Sequence, residues 1–205
     1  MNVLGIVKKT FEELRNQPDY IAIVNYVVSR LKRLPTSEER AKFIHQVVDN
    51  HNQEVFSHPL VQQLSPCKMG CSACCHTQVS VTRDEARILI TKIHEGYPID
   101  LDLLKVQMAA GNDTKEFLKL DYKDRKCIFL KSDGACGVYE DRPSICRTNA
   151  VLGQAEQCDT SVEVKPTRLV RTPKADMAIY GSYLSSKSSG TLPHLIGDLL
   201  GLSVD

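Results

Sequence analysis

Residues 67–77, CKMGCSACCHT, put four cysteines and a histidine into eleven positions, with two of the cysteines adjacent. No other feature restricts the chain so tightly, because these thiols need a chemistry before any fold can enclose them. The eight cysteines are Cys67, Cys71, Cys74, Cys75, Cys127, Cys136, Cys146 and Cys158, and none lies outside residues 67–158. A set of unrelated core thiols does not explain that confinement. Thiolates are soft, charged donors that bind zinc and iron–sulfur clusters, and ligands two or three residues apart can wrap one centre from a single turn. Cys71 and Cys74 have this spacing, with Cys67 within reach. Adjacent side chains point about 100° apart on a helix and to opposite faces of a strand, so Cys74 and Cys75 do not serve one ion in equivalent ways. Either they serve two centres, or one is a ligand and the other a buried or reactive thiol. Four local and four distant thiols suit two four-coordinate sites, or one site that pins the distant segment to the cluster. Metal binding would then contribute directly to folding.

The rest of the composition is ordinary. A chain of 205 residues, 42% hydrophobic and 25% charged, can bury a real core and does not need cysteines as staples. The opening MNVLGIVKKTFEELRN has only a short apolar stretch before Lys8 and Lys9 and no small-residue cleavage site, so no secretory signal is expected. No apolar run approaches the roughly 18 residues of a membrane span. A cytoplasmic protein is expected, and in a reducing compartment eight cysteines point to metal or redox chemistry rather than disulfides. The net charge of +1 gives no global attraction to nucleic acid or membrane. One basic run, VKPTRLVRTPK, groups Lys165, Arg168, Arg171 and Lys174 and reads as a solvated edge.

Residues 1–64 read as helices packed on the core. Val3, Leu4, Val7, Phe11 and Leu14 recur at helical spacing, as do Ile21, Val24, Val28 and Leu31 after Pro18. A third helix follows the capping-box pair Thr36 and Glu39 and turns Phe43, Ile44, Val47 and Val48 inward. Beyond the cluster, a short strand ends at Thr82, where Glu85 completes another capping box before a helix to about Glu95. Asp100 caps the next helix, which stops at Gly111. CIFLKSDGACGVYE reads as a hairpin turning at Asp133 and Gly134, and Pro143 opens a further helix from its first turn. In the tail, a helix opening at Thr172 and Pro173 is followed by a Ser-rich break. Then comes LPHLIGDLLGL, whose Leu192, Leu195, Ile196, Leu199 and Leu200 make one apolar face. That face either packs on the parent domain or docks a protein partner. The expected fold is mainly α with a small irregular β-hairpin region. It has a helical region at 1–64, a metal-stabilised cysteine-cluster domain at 65–160 and a helical tail at 161–205 in the same globular unit.

Charge adds a constraint. Four thiolates around one Zn²⁺ carry two excess negative charges, which an interior tolerates only beside donors or cations. Lys68, Arg142 and Arg147 lie next to cysteines in sequence, and a helix start near Pro143 can aim N–H groups at thiolates. His76 follows the adjacent pair and is a further candidate ligand. His45, His51, His58, His94 and His194 share no ligand spacing with the cluster and read as surface or capping residues.

CxxxCxxCC at 67–75, CIFL at 127, GACGVY at 134 and RPSICR at 142 together resemble the YkgJ-like cysteine-cluster family of zinc- or iron-chelating domains. The resemblance covers residues 67 to about 158. It implies ligands at Cys71, Cys74, Cys75, Cys127, Cys136 and Cys146, with Cys67 displaced by one residue from the usual spacing and Cys158 a looser element. Tyr139, Arg142, Pro143 and Arg147 match the family's framework and imply support of the site. The cofactor implied is a zinc ion or an iron–sulfur cluster. Flagellin lysine N-methylases carry a similar cluster, tied to an iron–sulfur centre and S-adenosylmethionine, which makes an iron–sulfur enzyme modifying a protein side chain the alternative. Cys67, Cys71 and Cys74 also spell CxxxCxxC, a radical S-adenosylmethionine spacing. Ala73 stands where an aromatic residue is expected there, and repeated strand–helix units are missing. No GxGxxG, GxxxxGK or GxSxG is present, so nucleotide cofactors and serine hydrolysis lack support. An unmetallated thiol with His76 as base, and metal delivery through exchangeable thiols, complete the readings.

Overall fold

The computed structural model describes residues 3–68, 70–161 and 168–203. Two apolar cores organise the helices. The first is built by α1 (Val3–Leu14), α2 (Pro18–Leu31), α3 (Ser37–Phe56) and α9 (Pro173–Ser185), with α9 packed against the other three. It closes over Val7, Val27, Leu31, Ile44, Val48, Ala175, Ala178 and Ile179, and Phe11 stacks on Tyr180 with ring centroids 3.8 Å apart. Gln17 precedes a proline-led α2, and Thr36 and Glu39 form both bonds of the capping box at α3. The side chain of Val3, part of the expected first stripe, lies outside the described residues.

The second core joins α5 (Arg83–His94), α6 (Leu101–Ala109) and α10 (Leu192–Leu199) over Val81, Leu89, Leu104, Met108, Phe129, Val138, Leu192, Leu195 and Ile196. The apolar face of α10 is buried against α5 and α6. Thr82 and Glu85 form the second capping box as expected, and Asp100 caps α6 by accepting from Leu103 N at 2.9 Å. Short helices α4 (Pro59–Leu64), α7 (Thr114–Leu118) and α8 (Ser144–Thr148) complete the helical set among the described residues. None of these helices is long and apolar enough to cross a membrane.

Strand structure is slight. β1 (Ser80–Thr82) pairs antiparallel with β4 (Ser189–Thr191), Ser80 opposite Thr191, so the Ser-rich break closes onto the strand leaving the cysteine cluster. Leu192 N donates to Val79 O at 2.7 Å and Arg83 N to Ser188 O at 3.0 Å, extending the contact at both ends. β2 (Val151–Leu152) pairs with β3 (Arg168–Leu169). The expected hairpin is tighter than a ladder: an isolated Leu130–Cys136 bridge, a turn through Gly134 at φ +79°, and Gly137 N donating to Phe129 O at 2.8 Å.

Two expectations change, and a third falls only partly within the described residues. Pro143 stands just before α8, with ψ 150°, instead of inside its first turn. His45 is 5% exposed, because it lies on the inward face of α3 among partners from α5 and α8 rather than at the surface. The basic run is only partly visible: Lys165 and the side chain of Arg168 lie outside the described residues, while Arg171 pairs with Glu13 and Lys174 with Glu54.

Gly137 is the tightest approach in the hairpin, where a Cβ would overlap the hydroxyl and ring of Tyr97. Tyr97 is held there, its hydroxyl donating to Phe129 O at 3.2 Å. Gly137→Ala is expected to lower stability by about 1–3 kcal/mol through overpacking, read by denaturant unfolding, whereas Gly5→Ala, in open space within α1, is expected to raise it by about 0.5–1 kcal/mol.

Candidate metal centre

The cysteines gather at the seam between the two cores. Cys127 and Cys136 pack on the second core, while Ile145, the neighbour of Cys146, belongs to the first. Between them lies a cavity of about 520 Å³ lined by Cys67, Cys71, Cys74, Cys75, Cys127, Cys136 and Cys146. Cys158, the remaining candidate, does not line it and sits on the 3₁₀ turn Ala155–Cys158, which packs against the 3₁₀ turn Ala73–His76. No cysteine is in a disulfide. Among the described residues, no three His, Cys, Asp or Glu side chains stand in a group that could hold one metal ion. The thiols face a shared space without closing on a point.

Local structure explains how five segments reach this space. Cys74 and Cys75 lie on the 3₁₀ turn Ala73–His76, and both line the cavity. Cys127 N donates to Cys75 O at 2.8 Å, tying the distant segment directly to the adjacent pair. Cys136 sits across the bridge from Leu130, and Cys146 lies in α8. Cys67 Sγ faces the backbone N–H of Val151 at 3.5 Å.

The placement of Cys146 depends on a buried polar node. Glu85, 1% exposed, accepts from Thr82 N at 3.0 Å and from Ser144 N at 2.7 Å. Its capping-box role at α5 thus extends to the start of α8. Burial pushes the Glu85 carboxyl up, but the bonds from His45, Ser144 and Thr82 outweigh it and hold the pKa at about 2. Because this lies below the ordinary carboxylate value, the stabilisation is present at neutral pH and is lost as pH falls through about 2. His45 Nε2 lies 3.4 Å from Glu85 Oε1, and its Nδ1 lies 3.3 Å from Arg147 Nη2. Arg147 also donates to Asp49 Oδ2 at 2.6 Å, to Arg142 O at 2.9 Å and to Glu140 O. Asn52 Nδ2 donates to Arg147 O at 3.0 Å. The basic residue beside Cys146 is therefore fixed by protein partners. Arg142 differs: it lines the cavity, its guanidinium stacks 4.1 Å from the Tyr139 ring, and its buried Nε has no partner. Lys68 is exposed at the cavity lining.

The thiols respond to this setting. Burial pushes up Cys71, Cys136 and Cys146, and takes Cys127 to about 12 and Cys158 to about 11. Cys74 moves the other way, to about 7, through a hydrogen bond from the Cys75 thiol, with help from Asn149 and the charge of Arg142. Cys75 is correspondingly raised by its bond to Cys74 and by burial. The Cys75 thiol thus serves as the donor to the Cys74 sulfur. His76 is turned away from this chemistry: its Nδ1 lies 3.2 Å from Ser72 O, its ring stacks on Tyr122 at 4.2 Å, and it does not line the cavity. Asn149, Tyr122, His45 and the second bond of Glu85 carry no spacing signal in the sequence, because their partners come from distant segments.

Residues 66–163 match the family described as "CxxCxxCC: Putative zinc- or iron-chelating domain". No curated protein and no solved structure matches the chain.

In metal-free protein, the ultraviolet thiolate absorbance is expected to rise in one early step near pH 7, well before the remaining buried thiols titrate. That step belongs to Cys74, so Cys74→Ser abolishes it and Cys75→Ala, which removes the thiol donor, shifts it to higher pH, whereas Cys136→Ser leaves it.

Proposed function

We propose that this chain, whose residues 66–163 match the family described as "CxxCxxCC: Putative zinc- or iron-chelating domain", uses its cysteines to hold a thiolate-ligated metal centre, zinc or iron–sulfur. The observation that carries the reading is the convergence of seven cysteines from distant segments on one cavity of about 520 Å³. The donor set fits a soft metal, since every candidate ligand is a sulfur. Arg142, with an unpartnered Nε beside the thiols, and Asn149 answer the charge that several thiolates bring. Bound zinc would crosslink the five cysteine-bearing segments and add its binding energy to folding; a bound iron–sulfur cluster would add one-electron chemistry.

A second reading draws on the same volume. Four thiolates about 2.3 Å from one zinc ion enclose a sphere of about 50 Å³. A cavity ten times larger, lined also by Phe56, Val61, Phe129 and Val138, falls in the small-molecule range and leaves room for a reactant beside an iron–sulfur centre.

Anaerobic purification followed by elemental analysis and a visible spectrum tests the function. Zinc or iron is expected at one or more equivalents per chain, with loss of near-ultraviolet circular dichroism when a strong chelator removes it. Iron with acid-labile sulfide favours the second reading. A metal-free chain whose unfolding midpoint is indifferent to zinc and iron would remove the proposal.

A further inference from the structure

We propose that the cavity beside the cysteines binds a small organic monocarboxylate, its head group paired with Arg142 and its apolar body laid against Phe56, Val61, Phe129 and Val138. This rests on the reading that the volume admits a reactant beside the metal, and it holds for either metal.

The charged groups of the lining have one sign. Among the described residues they are Lys68, Arg142 and Arg147, with no Asp or Glu beside them. A cleft lined by positive charge with low-dielectric walls draws anions in. Most of its polar groups already have partners. Arg147 is engaged by Asp49 and by the carbonyls of Arg142 and Glu140. Gln78 donates to Gly111 O at 3.0 Å and accepts from Thr114 at 2.9 Å, and Thr77 Oγ1 donates to Cys74 O at 2.7 Å. Lys68 is exposed to solvent. Arg142 is the exception. Its buried Nε has no partner, and no carboxylate among the described residues pairs with its guanidinium; the neighbouring Asp141 lies instead 3.7 Å from Lys92. A buried charged donor without an acceptor is costly, so this position calls for one.

The guanidinium is also held in place. Its Cζ stands 4.1 Å from the centroid of the Tyr139 ring, Arg142 N donates to Tyr139 O at 3.4 Å, and Arg142 O accepts from Arg147 Nε at 2.9 Å. A guanidinium fixed in this way offers Nε–H and one Nη–H as parallel donors, the fork that matches the two oxygens of a carboxylate. One unpaired guanidinium balances a single charge, which favours a carboxylate over a phosphate dianion. The rest of the volume suits carbon. A cavity of about 520 Å³ falls in the small-molecule range, and its apolar walls favour burial of an alkyl or aryl body.

Calorimetric titration of the full chain, purified anaerobically with the metal it retains, compares octanoate with uncharged 1-octanol. Octanoate is expected to bind at one equivalent per chain and about tenfold or more tighter than octanol. Its affinity should rise about fourfold per CH₂ from hexanoate to decanoate, the fold-change of about 0.8 kcal/mol per buried methylene. Arg142→Gln is expected to weaken octanoate about 10–100-fold and to leave octanol unchanged. The comparison of octanoate with octanol uses the wild type, so it decides the matter even where the variant does not fold. Elemental analysis of the same samples separates this site from the metal centre. Equal binding of octanoate and octanol, or loss of metal from Arg142→Gln with octanoate affinity unchanged, overturns the carboxylate site and leaves metal binding intact, Arg142 then serving the thiolates alone. Octanoate bound through Arg142 by a chain that retains no metal supports the site while removing the metal centre.

Discussion

A buried carboxylate holds the segment that carries Cys146 to the helical scaffold. Glu85 closes the N-terminus of α5, receives the first N–H of α8, and lies against His45 of α3, so three helices are fixed by one ionised group. A charge so enclosed is stable only while its partners stay in place, and breaking such a node costs about 3–5 kcal/mol. Arg147 completes the arrangement by anchoring α8 to Asp49 and to the carbonyls of Glu140 and Arg142. Cys146 and the loop carrying Arg142 inherit their positions from it.

The thiols impose the opposite demand. A protein interior resists several thiolates together, and the raised pKa values of Cys127, Cys136 and Cys146 express that resistance. Cys74 is lowered instead, through the hydrogen bond from the Cys75 thiol, with help from Asn149 and the charge of Arg142. On the proposed function, a bound metal ion would supply the positive charge that the side chains alone do not. The division of labour would then be physical: polar and apolar packing fixes the walls, and a bound metal would draw the sulfurs together across the space they enclose.

Much of this was legible in the sequence where the signal is local. The capping boxes at Thr36 and Thr82, the stop at Gly111, the turn at Gly134 and the apolar face of α10 all depend on residues a few positions apart. The eight cysteines stood out by confinement, and seven of them face one cavity. What stayed hidden depends on long-range contact. The pairing of β1 with β4 joins residues more than a hundred positions apart through two three-residue strands too short to carry a periodic pattern. His45 read as a surface residue because a lone histidine says nothing of Glu85 and Arg147, which approach it from other helices. Pro143 precedes its helix because the bond from Ser144 to Glu85, absent from any local rule, fixes where α8 begins.

The central claim is that sulfur alone surrounds the metal. X-ray absorption at the edge of the metal retained after anaerobic purification tests this most directly. A first shell of about four sulfur scatterers near 2.3 Å per metal is the predicted result. A first shell dominated by oxygen or nitrogen would contradict it.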